Sequence, residues 1–169
     1  FAYVLGWSYQ PLYEKKKIEK KEEAEKEAKK TPPVNINARL FKPVDAAKFR
    51  FRSNVVIPDG FTKIDDFCFD GYTLLRTVDM PQSLAAIGSY AFSECKRLRG
   101  VEFPESLRII GQGAFSQCAK LTIVKIPKGI LEIADSTFQF CRGLEVIDIP
   151  ATVSSIGNGA FSGCESLRK

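Results

Sequence analysis

The sequence predicts a solenoid of stacked parallel coils, and three observations support that fold class. First, residues 55–169 repeat one pattern five times, with proline at Pro58, Pro81, Pro104, Pro127 and Pro150, always 23 residues apart. Second, the same interval governs Phe69, Phe92, Phe115, Phe138 and Phe161, the isoleucines from Ile64 to Ile156, and the leucines from Leu75 to Leu167. Third, four of the five copies alternate apolar residues with a charged one just before the proline, as in Val101-Glu102-Phe103, the period-2 mark of a strand with one buried face. Units repeating every ~20–50 residues cannot bury an apolar face alone and must stack on their neighbours.

In chain order, the first element is an aromatic arm. Residues 1–13 hold the only tryptophan and three of the five tyrosines, followed at once by Lys15, Lys16 and Lys17. Aromatic rings with a polar tip beside a basic cluster suit a membrane–water boundary or a protein interface. Thirteen residues are too few for a bilayer span, which needs about 20. Phe1, Tyr3, Trp7, Tyr9 and Tyr13 are the expected anchor, buried in a partner or at a membrane edge, with residues 1–17 as the possible membrane contact. Residues 14–30 are nearly all Glu, Lys and Ala, with Glu22–Lys26 and Glu25–Lys29 in the favourable i,i+4 order. A solvated helix about 25 Å long is expected, stopped by Thr31, Pro32 and Pro33. Residues 31–54 form a linker and N-terminal cap, in which the alternation Lys48, Phe49, Arg50, Phe51, Arg52 predicts an edge strand.

The repeat itself is clearest in its third copy. Val101, Glu102 and Phe103 alternate as a strand, and Pro104 ends it because proline has no N–H for a ladder. A short apolar step follows at Leu107 and Ile110, then Gly111, then Ala114 and Phe115. Glycine suits a turn or a close approach, and a small alanine leaves room for stacking. Val101, Phe103, Leu107, Ile110, Phe115 and Leu121 should all point into one shared core, each contributing roughly 1.5–3 kcal/mol when fully buried. One strand per coil is expected, at 55–57, 78–80, 101–103, 124–126 and 147–149, lying parallel about 4.8 Å apart. Phe92, Phe115 and Phe138 should stack within the core.

The segments IGSYAFSECKRL, IGQGAFSQCAKL and IGNGAFSGCESL resemble the BspA-like, 23-residue class of leucine-rich repeat. The resemblance implies a right-handed leucine-rich-repeat solenoid of α/β type, used for protein recognition, and it does not imply any chemistry. Two copies depart from the pattern. The first has Asp65, Cys68 and Tyr72 where others have Gly, Ala and Cys, as expected of a capping repeat. The fourth has Ala134 and Thr137. The repeat is expected to continue beyond residue 169, and a segment upstream of Phe1 is expected as well.

Charge divides the chain. Residues 1–50 hold twelve Lys/Arg against seven Asp/Glu, whereas residues 51–169 hold thirteen of each, so the net +5 sits in the N-terminal part. The row expected to be exposed on the strands, Val56, Asp79, Glu102, Lys125 and Asp148, is mixed and slightly acidic. A nucleic-acid reader would carry a basic stripe there, so nucleic acid is not an expected partner. Cys95, Cys118, Cys141 and Cys164 recur every 23 residues, with Cys68 offset. Parallel Cβ vectors argue against disulfides between coils. The chain has no histidine and no C-x-x-C pair, which argues against zinc. A ladder of buried free thiols is the expected structure, and unpaired thiols favour an intracellular setting over a secreted one.

These readings predict a non-catalytic protein-interaction scaffold, an accessory subunit attached through its arm to a larger assembly that could be membrane-bound, even organellar. The alternative is a cell-surface recognition protein or adhesin using the concave repeat face. The expected contact residues on that face are Arg76, Asp79, Arg99, Glu102, Thr122, Lys125, Glu145 and Asp148. No catalytic residue, metal site, cofactor or small-molecule substrate is expected. There is no nucleophile–base motif or phosphate loop, and Asp65–Asp66 reads as a turn.

Overall fold

The computed structural model describes residues 39–168, so the expected aromatic anchor and the charged helix at 14–30 lie outside the described residues. The chain enters through a short strand β1 (Leu40–Phe41), helix α1 (Pro43–Ala46) and a 3-10 turn (Ala47–Phe49). Each coil then supplies two strands. The front strands are β2 (Asn54–Val56), β4 (Thr77–Asp79), β6 (Gly100–Val101), β8 (Ile123–Lys125) and β10 (Val146–Asp148). The back strands are β3 (Lys63–Ile64), β5 (Ala86–Ile87), β7 (Ile109–Ile110), β9 (Glu132–Ile133) and β11 (Ser155–Ile156). Every pairing is parallel and joins residues 23 apart within the coils, as Val55 with Val78 and Ile87 with Ile110. The molecule is a parallel β-solenoid of about five coils, as the periodicity predicts.

Several details differ from expectation. The front strands sit one residue earlier than the 55–57 type of window, and β6 has only two residues. The residue before each proline still donates at two places, Ile57 N to Asp79 O and Ile126 N to Asp148 O, so the ladder reaches the proline without being counted as strand. The apolar step after the proline is itself a strand, giving two per coil where one was expected. Its single inward residue (Ile64, Ile87, Ile110 or Ile133) is too short a run to show alternation. No helix stands in the return stretch of the described coils, so the α/β type does not hold. Two positions per coil have positive φ, which a right-handed helix excludes: Phe67, Tyr90, Gly113, Ser136 and Gly159, then Gly71, Glu94, Gln117, Phe140 and Gly163.

The cap also differs. Residues 48–52 form the end of the 3-10 turn and a bend, with Arg50 N donating to Ala47 O and Arg52 N to Phe49 O. Phe49 packs on the core while Phe51 is 83% exposed, so the two rings do not share a face. Pro43 starts α1, with fixed φ where no N–H is needed, and Asp45 accepts from the Lys42 N–H. The edge strand is instead β1, which pairs with β3, and its Phe41 heads the aromatic stack.

The core runs along the return side. Phe41, Phe69, Phe92, Phe115, Phe138 and Phe161 stack face to face with centroids 5.0–5.8 Å apart. Such aromatic pairs contribute about 0.5–1.5 kcal/mol each beyond the area they bury. A backbone ladder accompanies the rings: Phe69 N donates to Ala91 O, Phe92 N to Ala114 O, Phe115 N to Thr137 O and Phe138 N to Ala160 O, at 2.7–2.9 Å. The thiols form a third series. Cys95, Cys118 and Cys141 are buried, and their Sγ–H groups donate to the carbonyls of Phe69, Phe92 and Phe115 in the preceding coil, at 3.1–3.2 Å. Cys164 does the same to Phe138 but is half-buried. Cys68 stands at the alanine position of coil one, where its thiol reaches Phe41 O.

The strand sides are less continuous. The back ladder runs β1-β3-β5-β7, stops, and resumes as β9-β11. In coils two, three and five a glycine sits at this point, and a Cβ on Gly111 would lie 2.6 Å from Ser89 N. Gly88, Gly111 and Gly157 donate to Ile64, Ile87 and Ile133 carbonyls of the coil before. Coil four has Ala134 there. Among the described residues no bond joins Ala134 N to Ile110 O, and the back sheet breaks at that coil. In the same coil Thr137 takes the usual alanine site, fully buried with its hydroxyl donating to Ala134 O.

Candidate protein-binding face

The front strands place one residue inward and its two neighbours outward, the eBe pattern of β2, β4 and β8 in which only the middle residue is buried. The outward row Val56, Asp79, Glu102, Lys125 and Asp148 is exposed, as the alternation predicts. Arg76, Arg99 and Thr122, which precede the strands, are exposed too. Backbone bonds hold these three in line: Arg76 N donates to Ser53 O, Arg99 N to Arg76 O and Thr122 N to Arg99 O. Glu145 extends the line but is half-buried and pairs with Arg168 at 3.3 Å. The eight expected contact residues thus lie along one face of the solenoid.

That face holds charges that the described residues leave unneutralised. Their three salt bridges are Lys96–Glu94, Arg142–Glu165 and Arg168–Glu145. None involves Asp79, Glu102, Lys125 or Asp148. Asp79 and Glu102 are like charges at equivalent positions of adjacent coils, an arrangement that does not stabilise a sheet.

Sequence reasoning missed the row between these two lines: Asn54, Thr77, Gly100, Ile123 and Val146. It contributes exposed apolar surface, Ile123 at 61% and Val146 at 48%. It also contains a gap. A hollow of about 810 Å³ opens on the front face around coils two to four, bounded by Thr77, Arg99, Glu102, Ile123 and Lys125. Met80 and Phe103 line it and are half-buried, although the equivalent Ile57 and Ile126 are buried. The front ladder is interrupted at the same place, since β2 pairs with β4 while β6, β8 and β10 form a separate sheet. Gly100 was the available signal, because a glycine inside a strand pattern has no side chain to pack.

Burial, the largest cause, pushes the Cys68 thiol up to about 12 and the Cys164 thiol up to about 11, and raises Cys95 and Cys118 as well. These thiols are protonated near neutrality and unsuited to nucleophilic attack. Asp66 Oδ1 accepts from Ser89 N at 2.8 Å, which fits a turn. Among the described residues no group of three or more Cys, Asp or Glu is placed to hold a metal ion. No helix of the described residues is long and apolar enough to cross a membrane.

Comparison with known proteins places this geometry in a family. Residues 46–168 match the model of the BspA-type leucine-rich repeat region in six copies, one more than the five read from the sequence. Among solved structures, a leucine-rich repeat protein of T. pallidum is similar at 31% identity and a TM-score of 0.57, over 69% of this chain and 65% of the other. A leucine-rich cell surface protein of Faecalibacterium prausnitzii is similar at 25% identity and a TM-score of 0.51, over 70% of this chain and 47% of the other. This chain therefore spans less than two-thirds of either protein's length. No curated protein sequence matches it. The chain belongs to the BspA-type leucine-rich-repeat family, whose repeats build scaffolds for protein interaction or surface recognition.

Proposed function

We propose that the chain is a non-catalytic protein-interaction scaffold that meets its partner through the front face. In this reading the N-terminal arm attaches it to a larger assembly at or near a membrane. The observation that carries the proposal is the row of Asp79, Glu102, Lys125 and Asp148, exposed on stacked strands and without ionic partners among the described residues. Charges held in line by a regular backbone lose little entropy on binding, and they set partner choice and approach. The mixed signs of that row favour a protein over a nucleic acid. The arm enters on sequence grounds: it carries the aromatic residues Phe1, Tyr3, Trp7, Tyr9 and Tyr13, within the first fifty residues that hold the net positive charge. A second reading, recognition at a cell surface, is favoured by the likeness to the cell surface protein of F. prausnitzii.

Two variants, recovered by affinity purification from source cells, separate the parts. Deletion of residues 1–13 should release the chain from its assembly while the solenoid still melts cooperatively. Reversal of Asp79 and Glu102 to lysine should keep the chain attached but lose the front-face partner. If the truncated chain stays in the complex at full occupancy, the repeat face is the main attachment and the arm is passive. If the double reversal retains every partner, the front face is not the binding element. Labelling of intact cells by an impermeant reagent would favour the surface reading over the accessory one.

A further inference from the structure

We propose that the hollow around Gly100 is the anchor pocket of the front face, taking one aromatic or branched aliphatic side chain of a protein partner beside a lysine or arginine. The inference rests on the front-face reading above and deepens it.

Three independent observations converge on this hollow. Gly100 has no backbone reason to be glycine. Its φ is not among the positive values, and a Cβ built there would meet nothing within 4 Å. The missing side chain therefore leaves space, flanked by the equivalent Thr77 and Ile123. The second observation is the lining. The inward position after the front strands is buried as Ile57 and Ile126 and half-buried as Ile149 in the last coil, but only as Met80 and Phe103 does it line the hollow. A thioether and a ring adapt to an apolar guest better than a stiff branched chain would. The third is the rim. Asp79 and Glu102 hold equivalent positions in adjacent coils and make no salt bridge among the described residues, and Glu105 joins them around the hollow. An apolar centre with a charged rim is the anatomy of a protein-binding hot spot. Asp79, Glu102 and Glu105 outnumber Arg99 and Lys125 around the hollow, and this acidic excess selects a basic residue next to the guest side chain.

Met80 is the only methionine of the chain, so its labelled methyl group is an unambiguous reporter inside the hollow. The full chain is titrated with three probes, acetyl-Lys-Trp-Lys-amide, acetyl-Glu-Trp-Glu-amide and acetyl-tryptophan-amide, while the Met80, Ile123, Val56 and Val146 methyl signals are followed. The expected result is a saturable shift at Met80 and Ile123, with the basic peptide binding at least threefold tighter than the acidic one. Glu102→Lys should reverse that order. Gly100→Trp should abolish the Met80 shift while leaving the melting temperature nearly unchanged, because its Cβ enters open space. Equal affinity of all three probes would overturn the basic preference. Shifts confined to Val56 and Val146, on the first and last front strands, would overturn the hollow as anchor and leave the front face as the binding element. No shift at any front methyl would count against both.

Discussion

The return side and the front side of each coil obey the same 23-residue period, yet only the return side is unbroken. There, six stacked phenylalanines, a backbone ladder and a series of thiol–carbonyl bonds run from Phe41 to the last coil. The front sheet breaks between β4 and β6, and the back sheet between β7 and β9. The contrast teaches where each kind of constraint lies. Side chains on the return side meet their own kind in the next coil, so one altered residue disturbs two interfaces. Side chains on the front face meet solvent, so composition is free to serve a partner. The front break falls at Gly100, with no side chain to contribute, and the back break at Ala134, where coils two, three and five have glycine.

The largest expected effect tests that contrast directly. Phe115 is fully buried and stacks on both Phe92 and Phe138, so Phe115→Ala should cost about 3–5 kcal/mol in urea denaturation. Ile123 is 61% exposed on the front face, and Ile123→Ala should change stability by no more than about 0.5 kcal/mol. Comparable losses at the two sites would mean that the front face is structural after all.

A smaller effect sharpens the account of the thiols. Cys68, Cys95, Cys118 and Cys164 have folded pKa values raised above the ordinary 9.0, chiefly by burial. The unfolded chain therefore releases these protons at lower pH than the folded one. The stability they contribute is complete below pH 9 and lost as pH rises through the folded values of about 11 to 12 and beyond. Urea midpoints should fall steadily above pH 9, and Cys118→Ala should flatten that fall. Native labelling should reach half-buried Cys164 first and Cys118 last. Rapid labelling of Cys118 would contradict a buried ladder.

Much of this was legible in the sequence, and the unread remainder has physical causes. Period alone places the phenylalanines, cysteines and front strands, because identical residues at a fixed interval can only stack. The back strand escaped notice since it buries a single isoleucine in each of the first four coils and none in the last, too few for any alternation. The left-handed positions were hidden for a different reason: six of the ten are occupied by non-glycine residues such as Phe67, Tyr90 and Gln117. Here the tertiary ladder imposes a conformation that local preference resists. The residues at 48–52 alternate like a strand, but Pro43 and Asp45 had already committed the preceding residues to a helical turn. The exposed row from Asp79 to Asp148 was readable, whereas the hollow was not. A cavity depends on what Gly100 omits and on how far Met80 and Phe103 stay uncovered, and neither is written in a period.

Native-state hydrogen exchange tests the central claim, that the return side holds the coils together while the strand sides are free to vary. The Phe92, Phe115 and Phe138 amides, bonded to the next coil at 2.8–2.9 Å, should exchange only through global unfolding. The Met80, Phe103 and Ala134 amides, beside the two breaks, should exchange at least tenfold faster under the same conditions. Protection at Met80 and Ala134 equal to that at Phe115, or Phe115 exchanging before them, would contradict the account.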